Sequence, residues 1–203
     1  TIAEGILSFV ENGLPSTTAI VFDGGTLQWA GGNDEDISDR IASIAAGKTA
    51  ILDVNGNVVT LASAITGDGG LKVTDNYWGQ GELILTAANS FTGGTTLERG
   101  KLSLQKSGGD TLAASGGLAI ENGTLDLGGN TQHISGAVSI RGGTVQNGTI
   151  SKSGDDYDAQ AGTVTATLAG TSGMTKSGGG TLSLTGNKTY TGETTIDGGI
   201  LNV

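Results

Sequence analysis

"GGGTLSLTGNKTYTGETTIDGGILNV", Gly178 to Val203, closes the chain, and its reading decides the fold. It aligns without a gap on "GQGELILTAANSFTGGTTLERGKLSL", Gly79 to Leu104, at an offset of 99 residues, with 11 of 26 positions identical. Phe91 stands against Tyr190, Leu97 against Ile196 and Glu98 against Asp197, so several differences keep size and polarity. A chain that repeats itself over such a span is built from units that bury their apolar faces against one another.

A shorter phrase lies inside the long one: an apolar residue, a charged residue, any residue, Gly, any residue, then Leu, Val or Ile. It occurs as "FDGGTL" at Phe22, "LERGKL" at Leu97, "IENGTL" at Ile120, "IRGGTV" at Ile140 and "IDGGIL" at Ile196. The steps from Leu97 to Ile120 and on to Ile140 are 23 and 20 residues, the period of a solenoid. "TLSLTG" sets Leu182 and Leu184 on one face and Thr181 and Ser183 on the other, and "ELILT", "KLSL", "GTLDL" and "GILNV" keep the same period of two. That alternation makes a half-buried strand. Short strands punctuated by Gly-Gly, Asn-Gly and Asp-Gly at a fixed rung length predict an all-β parallel β-helix of about nine rungs, stacked about 4.8 Å apart. Glycine is expected at the corners, where the coil turns sharply.

The duplication reaches further back. "ILSF" near Leu7 matches "KLSL" near Leu102, "IVFDGGTLQW" matches "LAIENGTLDL", and "AITGDGGL" matches "TLAGTSGM". The expectation is one continuous solenoid over residues 1–203, made of a first module, 1–100, and a second, 101–203. "DEDISDRIASIAAG", Asp34 to Gly47, departs from the pattern: Ile37, Ile41 and Ile44 have helix-like spacing behind acidic residues, so it reads as a short helical excursion or an irregular rung.

Composition narrows the function. Glycine supplies 38 of 203 residues and proline one, and the net charge is −10. Leu, Ile, Val and Phe total 47, enough for a thin core shared along the chain. Nucleic acid and anionic membranes need clustered Lys and Arg, whereas the ten here are scattered. No apolar run approaches 18 residues, so no helix spans a bilayer, and "TIAEGILSFVENG" is not a signal peptide. Without cysteine there is no disulfide, thiol catalyst or Cys-based zinc site.

At Gly178, Gly180, Thr181, Leu182, Leu184, Tyr190, Gly192, Thr194, Thr195, Ile196, Gly199 and Leu201 the closing stretch resembles the passenger-associated transport repeat, also called the autotransporter-associated β-strand repeat. The asparagine of that pattern is displaced by one place, at Asn187 here and Asn89 in the earlier copy. The resemblance implies a right-handed β-helical passenger region of an autotransporter, secreted and held at the bacterial cell surface. It implies a scaffold and an export route rather than a ligand. The chain begins mid-phrase and ends on a strand, which reads as a fragment or a processed passenger.

Candidate chemistry is sparse. His133, the one histidine, aligns with an outward position and lacks an arguable Ser-His-Asp partner set. Carboxylates cluster as Asp34, Glu35 and Asp36 and as Asp155, Asp156 and Asp158. They read first as solvated turns and second as weak calcium candidates, and they lack the spacing of the known calcium loops. Tyr77 and Trp78 belong to about four residues that the second module lacks, so they are candidates for stacking on a sugar or protein partner. Phe91 and Tyr190 share a repeat position and read as a structural stack. Thr95-Thr96 and Thr194-Thr195 read as outward pairs, which raises ice binding as a remote option. No catalytic residue and no cofactor are expected. The function expected is non-enzymatic: an adhesin or structural scaffold that binds a host or surface glycan or protein, or other copies of itself through unpaired strand edges. The rivals are a polysaccharide-acting enzyme on a β-helix, which would need convergent acids along one face, and an inert spacer for an activity outside the fragment.

Overall fold

The computed structural model describes residues 1–77 and 79–203. Among the described residues the chain forms 21 short strands and one 3-10 turn. Every pairing between these strands is parallel. They wind a β-solenoid with three faces. The first face holds, in stacking order, Ile6–Phe9, Thr26–Trp29, Thr49–Asp53, Gly70–Thr74, Thr95–Leu97, Leu118–Ile120, Val138–Ile140, Tyr157–Ala159, Met174–Lys176 and Thr194–Ile196. Each strand of the series belongs to the next turn of the coil, which gives ten rungs against the nine or so expected from the sequence.

The second face stacks Val58–Leu61, Glu82–Leu85, Lys101–Leu104, Thr124–Asp126, Thr144–Gln146, Gly162–Val164, Thr181–Leu184 and Ile200–Asn202. The third holds Thr131–Ile134, Thr149–Lys152 and Thr167–Gly170. Strand partners lie 17 residues apart at the shortest step, Tyr157 onto Met174, and 25 at the longest, Thr26 onto Ile51. The steps read from the phrase spacing, Leu97 to Ile120 to Ile140, are the observed register.

The core is a set of columns. Leu27, Leu52, Val73, Leu97, Ile120 and Ile140 stack inward along the first face, and Val59, Leu83, Leu102, Leu125, Val145 and Val164 along the second. All are buried. Full burial of such a side chain stabilises by roughly 1.5–3 kcal/mol, delivered against the rungs above and below. The aromatic pair Phe9 and Trp29 stacks the same way, with ring centroids 5.3 Å apart.

Three sequence expectations change at this level, and one of the two readings open for residues 34–47 is selected. Thr95 is buried and faces inward, between Leu71 and Leu118, so adjacent threonines do not both point out. The physical reason is the strand's own period of two. Its Oγ1 finds no hydrogen-bond partner among the described residues. Thr194 occupies the same inward column, opposite Met174. The 34–47 excursion is an irregular rung in which only Ser38–Arg40 turns as a 3-10 helix. Ile37 and Ile44 are buried, and Ile41 and Ile44 make single bridges to Ile20 and Gly67. The phrase at Phe22 leads into the first face, at Thr26–Trp29, whereas those at Leu97, Ile120 and Ile140 lead into the second. "ILSF" at Ile6–Phe9 is likewise a first-face strand and its match Lys101–Leu104 a second-face one.

Two lysines occupy inward positions. Lys176 is fully buried and its Nζ donates to the carbonyls of Ser177, Gly178 and Gly198 at 2.6, 3.1 and 3.0 Å. Lys152 reaches the Gly136 carbonyl at 2.9 Å, and its burial lowers its pKa from the ordinary lysine value, opposed by the charges of Asp155 and Asp156. In each case the stem fills the core and the ammonium satisfies corner carbonyls.

Candidate functional site

The corner between the first and second faces lines a cavity built from several rungs. In three successive rungs it is closed by only three residues: Glu98–Gly100, Glu121–Gly123 and Arg141–Gly143. Gly143 has φ +70°, and a methyl group there would run into the Gly123 carbonyl, so the tight corner requires glycine. One rung earlier the same gap is spanned by a longer segment, from Asp75 to Gly81.

Asp75 anchors the foot of that segment. It is buried, its Oδ1 accepts from the N–H of Gly56 at 2.7 Å and of Tyr77 at 3.0 Å, and its Oδ2 accepts from the N–H of Gly81 at 2.8 Å. Asp53 does the same from the rung below: Oδ1 accepts from the Asn76 N–H at 3.1 Å, and Oδ2 from Asn76 Nδ2 and Gln28 Nε2, both at 2.7 Å. Held in this way, the segment borders a cavity of about 530 Å³ that runs along the tight corners of the later rungs. Its polar lining is Asn76, Arg99, Asn122, Thr124 and Thr144, over a floor of Gly100, Gly123 and Gly143.

Beside the cavity, Glu98 and Lys101, which flank Arg99 and Gly100 in sequence, are both held in ion pairs. Lys72 holds Glu98 at 2.7 Å, and this bond keeps the Glu98 carboxyl below its ordinary pKa. Lys101 bridges Glu82 at 3.1 Å and Asp126 at 3.2 Å across three rungs. Burial alone would lower the Lys101 pKa, and the two carboxylates more than reverse it. Burial likewise acts to raise the Asp126 carboxyl, but the N–H of Gly128, the amides of Asn147 and Gln146, and Lys101 bring it below the usual range.

The residues singled out from the sequence fall outside the cavity or on its border. Tyr77 is 57% exposed, but its ring leans back onto Gly56, on the side away from the tight corners. Trp78 lies outside the described residues. Asp34 is an exposed turn residue. Glu35 accepts from the Asn12 N–H at 2.7 Å and pairs with Arg40, and Asp36 caps Ser38 and Ala62 at 2.9 and 3.0 Å. Asp156 accepts from the Gly173 N–H at 2.7 Å and Asp158 from Ser177 Oγ at 2.8 Å, while Asp155 is exposed. Among the described residues no three acidic or histidine side chains converge closely enough to hold a metal ion. Phe91 is buried, and Tyr190 packs against the core with its ring 6.1 Å from that of Tyr157.

Sequence reasoning missed one pairing. His133 Nδ1 lies 3.0 Å from both oxygens of Asp110, and its backbone N–H donates to the same carboxylate at 2.8 Å. Burial acts to raise the Asp110 carboxyl, and these bonds bring it below its ordinary value. Ser151 is the register neighbour of His133, yet among the described residues it makes no hydrogen bond to the imidazole. The pair ties one rung to the next, and no feature of sequence spacing marks it. The cavity was partly legible, since the extra residues around Tyr77 signalled an outgrowth at this corner.

A ten-rung parallel coil with glycine corners defines a class of architecture, the β-solenoid built from stacked repeats. The family described as Passenger-associated-transport-repeat matches residues 78–104, 120–146 and 174–203, three copies where the sequence alone suggested two full ones. A curated relative is the "Adhesin BmaC autotransporter" of Brucella suis biovar 1 (strain 1330), 32% identical over 192 residues that cover 90% of this chain. The chain spans 5% of that relative's length. No solved structure matches the chain.

Proposed function

We propose that the chain is a non-enzymatic segment of a secreted autotransporter passenger, displayed at the bacterial cell surface, where it acts as an adhesin. The observation that carries this reading is the alignment of 90% of the chain with a relative named as an autotransporter adhesin. The three passenger-associated transport repeats support it, because they make up much of the later rungs of the coil. Each rung buries its apolar residues only against adjacent rungs, so folding propagates from one end without disulfides or distant pairing, which suits a chain that folds after export. The partner is a glycan or protein on a host or other surface, or another copy of the chain.

The test is adhesion of the purified chain to immobilised matrix proteins, glycans and cells, with reducing-sugar release followed on the same polysaccharides. Binding without turnover is the expected result. Released sugar would replace the adhesin by a polysaccharide-acting enzyme, and binding to no surface would leave a spacer. Sedimentation over a concentration series tests self-association, and a monomer throughout would remove that arm.

A further inference from the structure

We propose that the cavity beside the Asp75–Gly81 segment binds a carboxylate-bearing saccharide, with the acid group on Arg99. This rests on the adhesin reading and adds to it a place and a ligand class.

Arg99 is the first reason. The chain has three arginines. Arg40 pairs with Glu35 and donates to the Pro15 carbonyl at 2.7 Å, and Arg141 pairs with Glu121 at 2.5 Å. Arg99 is exposed at the cavity, and among the described residues it makes neither a hydrogen bond nor an ion pair. The adjacent Glu98 is already held by Lys72. On a chain of net charge −10, a guanidinium with its donors open is a local reversal of the field. Its planar fork matches one carboxylate.

The floor and walls supply the rest. The carbonyls of Gly100, Gly123 and Gly143 accept the N–H groups of Thr124, Thr144 and Thr163, each at 2.9 Å. The N–H groups of those same three glycines donate no hydrogen bond among the described residues. They form a row of backbone donors repeating with the rungs, about 4.8 Å apart, a spacing similar to the length of one pyranose ring. Asn122, Thr124 and Thr144 add neutral amide and hydroxyl groups suited to sugar hydroxyls. Asp75 lines the wall, but both of its oxygens are occupied by backbone N–H groups. The volume of about 530 Å³ lies within the range of roughly 300–1,000 Å³ usual for small-ligand sites. A single open cation in an acidic chain favours a ligand with one acid group over a polyanion.

The experiment is calorimetric titration of the intact chain with 3′-sialyllactose, with trigalacturonate and with neutral lactose. Binding of either acidic sugar, with lactose at least about tenfold weaker, is expected, since a charge-assisted bond is lost in the neutral ligand. Which acid binds more tightly tells a sialylated source from a uronic one. Arg99→Gln, with an unchanged melting temperature, should weaken the acidic sugar at least about tenfold and make the residual binding insensitive to salt. Thr144→Val should weaken it less, and Arg141→Gln, whose side chain lies outside the cavity lining, should leave it unchanged. No binding of either acid at millimolar concentration, equal binding of lactose, or an Arg99→Gln variant that binds as tightly as the parent would overturn the proposal. Adhesion to cells that survives Arg99→Gln, with no acidic sugar bound, would sink the cavity assignment and leave the adhesin reading standing. Sugar binding with no adhesion to any surface would do the reverse.

Discussion

Asp75 illustrates how a single side chain organises this coil. Its carboxylate takes three backbone N–H groups from two rungs, which fixes both the foot of the outgrowth and the start of the next strand. Asp75→Ala leaves those donors orphaned in a buried corner, and we expect a loss of about 3 kcal/mol in urea unfolding. The three lowered carboxyls, Glu98, Asp110 and Asp126, set the pH response. A carboxyl with a depressed folded pKa contributes stability that is complete above its unfolded value, near pH 4, and lost as pH falls through the folded one. The melting temperature should therefore hold from neutral pH down to about pH 5 and drop below about pH 4. Asp126→Asn should flatten part of that drop. At the alkaline end Lys101, whose pKa is raised, contributes stability below its unfolded value that is lost as pH rises through the folded one.

At the scale of the strand, the inward columns carry the energy. Leu102 is fully buried between Leu83 and Leu125, so Leu102→Ala should cost about 3 kcal/mol, read as a shift in the denaturant midpoint. Leu201 sits in the same kind of column beside Leu182 but is only half-buried, and its truncation should cost less than half as much. Strands of this sort were legible from the sequence because alternation and glycine corners are local signals: Leu182, Leu184, Leu102 and Leu104 point where the pattern places them. The face on which a strand lies was not legible. "FDGGTL" and "IENGTL" satisfy the same local rule, and only the length of chain between corners places one on the first face and the other on the second. Lys152 and Lys176 were equally hidden, since their inward placement depends on corner carbonyls contributed by a neighbouring rung. The cavity is a product of stacking: Asn76, Arg99, Asn122 and Thr144 come from four rungs, and no window of sequence holds them together.

For the molecule as a whole, the parallel register makes each rung an exchangeable unit. Leu118 stands in register with Val138, so removal of residues 118–137 would bring Val138–Ile140 onto Thr95–Leu97 and Thr144–Gln146 onto Lys101–Leu104 with the inward columns preserved. We expect that deletion variant to keep a β-sheet circular dichroism spectrum and a single cooperative melt, whereas removal of ten residues from the same place should abolish both. The same geometry governs how the coil bears load. Its interstrand hydrogen bonds run along the long axis, so a pull on the two ends strains them lengthwise and opens them like a zip instead of shearing many at once. Under tension along its axis the coil would yield by shedding single turns, each releasing about 60 Å of extended chain, and would lengthen in steps in place of holding as a rigid rod.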